Sequence, residues 1–340
     1  MSKKKIVHIV EAFGGGVFTY FVELANSMCD EFDIVIAYAK RKQTPENFKD
    51  YFSKNIKLIE IKNFTRSIDP IKDIKAGIEI YNIVKQEKPD IVHMHSSKAG
   101  IIGRFVVSSK NQKLFYTPHG YAFLKQDDSK LKRLMYKDLE KIAARIKPSC
   151  KIVACSKGEY EESLKIIKNC TYINNGINTE ETDSIINKDN SKEIDFNNLK
   201  ICTIGRIGFQ KNPSVFNDIA KKFPNIQFTW IGDGELRDVL NSQNIKITGW
   251  KSRQEVLQEL SKNDIFLLPS LWEGLPIALL EAMYLKKICI VSNVIGNKDV
   301  IENERNGFVC NELDDYVNVI DKIEKMIIIL TIFYQNQFMI

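Results

Sequence analysis

The chain alternates short apolar runs with longer amphipathic ones, and it does so twice, on either side of a polar stretch. In the first half, 6–10, 32–38, 56–61, 91–94, 114–116 and 152–155 have the length and continuous apolarity of buried strands. Between them, 18–28, 70–87, 99–108 and 129–145 show helical periodicity. Strands that are apolar on both faces and separated by helices make a parallel sheet covered on both sides. The stretch 178–198, rich in Asn, Asp, Glu and Ser, breaks the pattern. It then restarts, with strand-like runs at 199–204, 226–231, 245–247, 265–268 and 288–291 and helices at 213–222, 234–240, 252–261 and 276–285. The expected fold class is α/β, with two doubly wound Rossmann-like domains at 1–178 and 199–325 facing each other across a cleft. Residues 179–198 read as the linker and 326–340 as an atypical apolar tail. Ligands of such sheets bind beyond the carboxyl ends of the strands, so the loops there are where function is sought.

A length of 340 residues suits two such domains better than one core. Content of 44% hydrophobic and 27% charged residues is that of a soluble globular protein. Lys3 to Lys5 followed by an apolar run resembles a signal peptide, but His8 and Glu11 break the run and three glycines follow, so a first buried strand is expected. Seven cysteines without a CxxC pair or zinc spacing read as reduced, mostly buried thiols in a cytoplasmic protein.

Charge is unevenly spread. Between Lys98 and Lys157 there are eleven lysines and three arginines against Asp127, Asp128, Asp138 and Glu140, a local +10 where the whole chain has +6. The segment 98–157 suits an anionic membrane surface or a phosphate-bearing acceptor, and equally the solvated face of the helix at 129–145. Nucleic acid is not expected as a partner, since no recognised motif accompanies the charge.

The densest chemistry lies in SLWEGLPIALLE at 270–281, which sets Glu273 and Glu281 eight residues apart around a Gly274-Leu275-Pro276 turn that opens a helix. Pro276 fits the first helical position, where a missing N–H does no harm, and the free amides of that helix start suit an anion. Carboxylates repel phosphate, so the two glutamates should face hydroxyls. A diphosphate with a sugar at each end meets these demands together. Gly14, Gly15 and Gly16 follow the first strand and leave bare backbone open to a ligand. Arg206 and Lys211, in the loop after the first strand of the second half, could clamp a diphosphate. Asp233 and Glu235 read as a turn and helix start rather than a metal pair. His93 and His95, two apart at a strand end, are too few for a metal site.

The 270–283 segment resembles the signature of the large retaining glycosyltransferase family 4, whose two-domain architecture is called GT-B. The resemblance extends over residues 5–310 through several motifs in order. It implies a sugar transferred from a nucleotide-sugar donor, with UDP-sugar the expected class, to a hydroxyl of a glycan or lipid-linked glycan in capsule-type surface polysaccharide synthesis. By this resemblance Glu273, Arg206, Lys211 and His119 are the catalytic candidates. Gly15, Gly16, Gly205, Gly232, Thr248, Gly274, Leu275, Pro276 and Glu281 are the donor-binding ones, with Glu281 on the ribose. His119 would contact the donor sugar rather than act as a base, a role that such enzymes leave to the departing phosphate. His95, Lys98 and Tyr121 are acceptor-side candidates. No cofactor is implied and turnover without a metal is expected, in the cytoplasm or at the inner face of the cell membrane.

The chain departs from the family pattern in two places. Tyr284 to Ile288 replaces the usual glycine and proline after the second glutamate, and the tail after 325 lacks the closing helices, which is expected to weaken domain closure. Two alternatives follow: a UDP-sugar epimerase of the same architecture, or a nucleotide-binding module impaired by its altered tail.

Overall fold

The computed structural model describes residues 3–65, 67–186 and 198–325. The tail at 326–340 and most of the expected linker therefore lie outside the described residues. The chain forms two compact units, Met1–Asn175 and Gly176–Ile340.

The first unit runs β1 (Lys4–Phe13), α1 (Gly15–Met28), β2 (Phe32–Lys40), β3 (Lys57–Glu60), α2 (Pro70–Glu87), β4 (Ile91–His95), α3 (Ser97–Val106), β5 (Lys113–Thr117), α4 (Lys130–Ile146), β6 (Lys151–Ala154), α5 (Lys157–Leu164) and β7 (Cys170–Tyr172). Its strands form one parallel sheet in the order β3-β2-β1-β4-β5-β6-β7. One face buries Val7, Ile9, Val92 and Met94 under α2 and α3, and the other buries Ile6, Val10, Ile34 and Ile36 under Phe18, Phe21 and Ala25 of α1. The strands read as continuous apolar runs for this reason: both faces are covered.

The second unit runs α6 (Thr179–Ile185), β8 (Lys200–Ile204), α7 (Pro213–Lys222), β9 (Gln227–Ile231), β10 (Ile245–Ile247), α8 (Arg253–Ser261), β11 (Ile265–Leu268), α9 (Ile277–Tyr284), β12 (Ile288–Ser292), β13 (Phe308–Cys310) and α10 (Leu313–Glu324). Its parallel sheet has the order β10-β9-β8-β11-β12-β13. In both sheets the chain order reverses beside the first strand, between β1 and β4 in one and between β8 and β11 in the other. Those are the switch points where two neighbouring loops diverge and leave a crevice.

The structure amends the sequence reading at several elements. Residues 234–240 form no helix, only a single 3-10 turn at Arg237–Val239. Asp233 folds back on the Gly234 N–H and on Arg237, which closes a turn where a helix start was expected. Thr179–Ile185, read as linker, is a helix whose N-cap Asn178 accepts from the Glu181 N–H, and Thr182 is buried beneath it. The strand β7 has three residues, too few for a periodic signal. All seven cysteines are free thiols, six of them buried.

Candidate active site

In the second unit the crevice lies between the loops that follow β8 and β11. Lys211 ends a 3-10 turn, Phe209–Lys211, and extends its Nζ to 2.6 Å from Glu273 Oε1. Gln210 joins them, donating from Nε2 to the Trp272 carbonyl at 2.9 Å and to Glu273 Oε2 at 3.4 Å, while its own carbonyl accepts from the Leu271 N–H at 2.8 Å. Sequence reading passed over Gln210, although its place beside Lys211 was visible. Glu273 is 6% exposed, so the loop holds a carboxylate out of water against a cation and an amide. Arg206, on the same loop, has Nη2 3.5 Å from Glu235.

The floor of this crevice is main chain. Gly205 and Gly232 have φ of +143° and +141°, and a Cβ on Gly232 would overlap the Gly205 carbonyl oxygen. The same carbonyl accepts from the Trp230 indole N–H at 2.8 Å, and the Gly205 N–H donates to the Ile231 carbonyl at 3.0 Å. Thr248 closes the edge, its hydroxyl accepting from the Gly232 N–H at 3.2 Å.

Pro276 occupies the N-cap of α9, one position before the expected one, and no side chain caps the helix. Leu275 is buried on this loop, and the Gly274 carbonyl packs against Gly296. Glu281 sits a turn and a half along α9, 2% exposed and ion-paired with Arg253 of α8. Burial pushes the Glu281 carboxyl above its ordinary range, against the pull of Arg253. The sequence carries no signal for this pairing, because 28 residues and a strand separate the partners.

In the first unit, α1 begins at Gly15, earlier than the periodicity suggested, with no acid in its first turn and no side-chain cap. Gly15 takes φ +55°, and a Cβ on either Gly15 or Gly16 would meet nothing within 4 Å, so the helix start opens onto free space. His119 follows β5 in the left-handed region at φ +53°, and Ser96 follows β4 at φ +73°. Non-glycine residues held there are uncommon and concentrate at functional turns. The His119 turn is clamped by Glu159 of α5, whose two oxygens accept the Gly120 N–H at 2.6 Å and the Cys155 N–H at 2.8 Å.

The three acceptor-side candidates are corrected. His95 is fully buried, packed edge-to-face against Phe21 and hydrogen-bonded to other histidines, so it cannot touch an acceptor. Tyr121 is also fully buried, with its hydroxyl 2.8 Å from Ser163 Oγ. Lys98 is drawn inward onto the carbonyls of Thr65 and Ser67 and the carboxylate of Asp73, at 2.8, 2.6 and 2.6 Å. Each is long or ringed enough to have reached a ligand; packing assigned them elsewhere. His93 is brought with His95 beside His8, their ring nitrogens within 4.8 Å of one another, a cluster that sequence spacing alone did not reveal.

Comparison with known proteins separates the possibilities. Residues 14–181 match the sequence model described as Glycosyltransferase Family 4, and 184–329 match Glycosyl transferases group 1. The UDP-Gal:alpha-D-GlcNAc-diphosphoundecaprenol alpha-1,3-galactosyltransferase of Escherichia coli is 34% identical over 81% of this chain and 76% of its own. The chain belongs to glycosyltransferase family 4. A second relative, the capsular polysaccharide biosynthesis glycosyltransferase CapM of Staphylococcus aureus, is 27% identical over 83% of this chain and 78% of its own. The fold matches the sucrose-phosphate synthase of Thermosynechococcus elongatus with a TM-score of 0.77 at 15% identity, over 94% and 90% of the two chains. The architecture is thus GT-B, two Rossmann-like units, as expected, and one of these relatives is named for capsular polysaccharide biosynthesis.

Proposed function

We propose that this glycosyltransferase moves a sugar from a UDP-sugar to a hydroxyl of a glycan carried on a polyprenyl diphosphate, with retention at the anomeric carbon, in surface polysaccharide assembly. The observation that carries the reading is the gathering of Arg206, Gln210, Lys211 and Glu273 on two loops at the β8/β11 switch point. As the donor's glycosidic bond lengthens, negative charge grows on the departing diphosphate. Fixed cations from Arg206 and Lys211 aimed at that charge lower the barrier without moving. Glu273, held in place by Lys211, can accept a hydroxyl hydrogen bond from the transferred sugar. Glu281, held by Arg253, suits the ribose hydroxyls, and the bare start of α9 suits a phosphate. Arg206 and Lys211 supply the positive charge that a divalent ion provides at other sugar-nucleotide sites, so the reaction is expected to run in a chelator.

The acceptor class rests on the Escherichia coli relative, whose name couples UDP-Gal to a diphosphoundecaprenol glycan and an alpha linkage. An alpha product from an alpha-configured nucleotide sugar is a retained one. The first unit adds a surface suited to a membrane-borne acceptor. Ile71, Ile74, Ile78 and Tyr81 make an exposed stripe at helical spacing on α2, and Leu131, Leu134, Met135, Ile142 and Ile146 another on α4. Both helices lie on the same face of the sheet, flanking α3. Lys130, Lys132 and Arg145 of α4 remain exposed among these apolar residues, whereas Lys98 and Arg104 of the basic segment are turned inward. An apolar stripe bordered by cations suits the interface of an anionic bilayer, each basic side chain adding about 1 kcal/mol. No helix among the described residues is long and apolar enough to cross a membrane. We therefore place the enzyme at the cytoplasmic membrane face as a peripheral protein.

The test is incubation of the purified chain with a panel of UDP-sugars and a short-chain polyprenyl diphosphate glycan, with mass and anomeric NMR analysis of the product. One added hexose or acetamidohexose in alpha linkage is expected, in EDTA as in magnesium. Isomerised nucleotide sugar in the absence of acceptor would replace transfer with epimerisation.

A further inference from the structure

The chain has four histidines, at 8, 93, 95 and 119, and all four meet in one group, His8 and His95 fully buried and His93 and His119 half-buried. His8 stands on β1 and His93 and His95 on the neighbouring β4, with His8 and His93 in direct register, so the three side chains share the α1 face of the sheet. Three of the rings form a row. His8 Nδ1 lies 3.1 Å from His95 Nε2, and His95 Nδ1 lies 3.0 Å from His119 Nε2. The outer end of the row is His119, on the strained turn after β5; the inner end is His8 Nε2, which is buried and has no hydrogen-bond partner.

A neutral imidazole has one N–H and one bare nitrogen, so a row of three neutral rings can point its hydrogen bonds in only two ways. In one, His8 Nδ1–H donates to His95 and His95 Nδ1–H donates to His119. In the other, both bonds run inward and His8 carries its proton on Nε2. The second leaves a buried N–H without an acceptor, which is the rarer and less favourable orphan. The Phe21 ring, whose centroid is 5.5 Å from that of His8 in an edge-to-face arrangement, is at best a weak acceptor. Burial disfavours the charged form of every ring in the group, which keeps the row neutral.

We infer that His8 and His95 are positioning residues that fix the tautomer of His119, so that its free nitrogen, Nδ1, faces the ligand as an N–H donor. Among the described residues that nitrogen takes no protein hydrogen bond. A donor at that position binds a sugar hydroxyl oxygen or a phosphoryl oxygen and rejects a group that can only donate. His93 supports the row from the side, its ring tilted against His95 at a centroid distance of 3.9 Å and its Nε2 anchored 2.9 Å from Thr117 Oγ1.

The inference concerns His119 as a ligand contact and so rests on the proposed transfer reaction, but its test does not. With 15N-labelled histidine and any affinity tag removed, long-range proton–nitrogen correlation spectra of the whole chain contain four imidazoles. At pH 7, after chelator treatment, His8, His95 and His119 should each show a protonated Nδ1 and a bare Nε2. Assignment comes from single substitutions of each histidine. His119 protonated at Nε2, doubly protonated or averaged between tautomers would overturn the inference, as would ring nitrogens of His8 and His95 that shift with one equivalent of zinc. His8→Asp places an acceptor where Nδ1 stood and should reverse the row. His119 Nδ1 then loses its proton, and kcat falls by at least ~10-fold with the KM for the nucleotide sugar changed by less than ~3-fold. If this variant does not fold, the wild-type spectrum still decides. Full activity of His119→Ala alongside the expected spectrum would sink the ligand role while leaving the tautomer relay intact.

Discussion

Lys211 Nζ stands 2.6 Å from Glu273 Oε1, tying the loop after β8 to the loop after β11 across the point where the sheet reverses its strand order. The two side chains are 16% and 7% exposed, so each charge relies on the other to offset the free energy of leaving water. The pair is both a structural clamp and half of the proposed diphosphate site, and the two roles can be separated.

Lys211→Ala is expected to lower turnover by about 10²- to 10³-fold, the usual effect of losing one preorganised group aimed at developing charge. It should also lower stability by roughly 2 kcal/mol, because Glu273 is left without its cation. The double variant Lys211→Met with Glu273→Gln should regain most of that stability in urea titrations and none of the turnover. Turnover restored in the double variant would contradict the catalytic assignment.

Arg253→Ala strands the Glu281 carboxylate in the interior. A loss of about 3 kcal/mol is expected, read as a lower thermal midpoint, and Arg253→Ala combined with Glu281→Gln should recover part of it. Calorimetric titration with UDP should show weakened binding for the single and double variants alike if Glu281 holds the ribose; unchanged affinity in both would remove it from the donor site.

The buried histidines make stability depend on pH. Burial holds His8 and His119 down at about 4, against 6.5 in the unfolded chain, and His93 and His95 are also held well below 6.5. Between those limits the unfolded chain binds protons that the folded one refuses. Stability is therefore complete above pH 6.5 and falls as pH drops toward 4, by roughly 3 kcal/mol for His8 alone. Urea midpoints measured at pH 7, 6, 5 and 4.5 should decline along this curve, and His8→Asn should flatten it. A flat profile would show that the rings are not sheltered.

Glu159 accepts two backbone N–H groups that no other side chain replaces, one from Gly120 and one from Cys155. Glu159→Ala leaves the buried Cys155 N–H and the half-buried Gly120 N–H without this acceptor, and about 2–3 kcal/mol of stability should be lost. Turnover should fall with it as the His119 turn relaxes, whereas Glu159→Gln, which keeps one acceptor oxygen, should be milder on both measures.

Leu131→Gln with Leu134→Gln removes two exposed apolar contacts from α4 without touching the core. Cosedimentation with vesicles of anionic lipid should weaken by at least ~10-fold, and raising salt should weaken the wild type further. Activity on a short, water-soluble acceptor should be unaltered. Equal cosedimentation of the variant and the wild type would rule out this face as the membrane contact.

The parts of the fold set by local pattern were readable from the chain itself. The runs 34–37 and 265–268 are apolar at every position because helical layers cover both faces of each sheet, and this pattern specifies a parallel sheet. Arg206, Lys211, Glu273 and the glycines were legible because loop chemistry at a strand end is local in sequence. What was hidden is whatever packing decides at a distance. Arg253 reaches Glu281, Glu159 reaches Gly120, and His8 reaches His95 across 87 residues. The same cause misplaced His95, Tyr121 and Lys98, whose side chains could have served a ligand but were recruited by the interior or, for Lys98, by loop carbonyls and Asp73. The helix expected at 234–240 failed for a different reason: Asp233 competes for the Gly234 N–H and for Arg237, so a turn wins over the helix.

The meeting of Gly205 with Gly232 has an evolutionary consequence. A floor built from two main chains in near contact offers no side chain that mutation could reshape, and a substitution at either glycine is rejected before it can be tested for a new sugar. Descendants of this chain that adopt different donors must therefore rewrite the walls, while the base of the pocket is inherited unchanged.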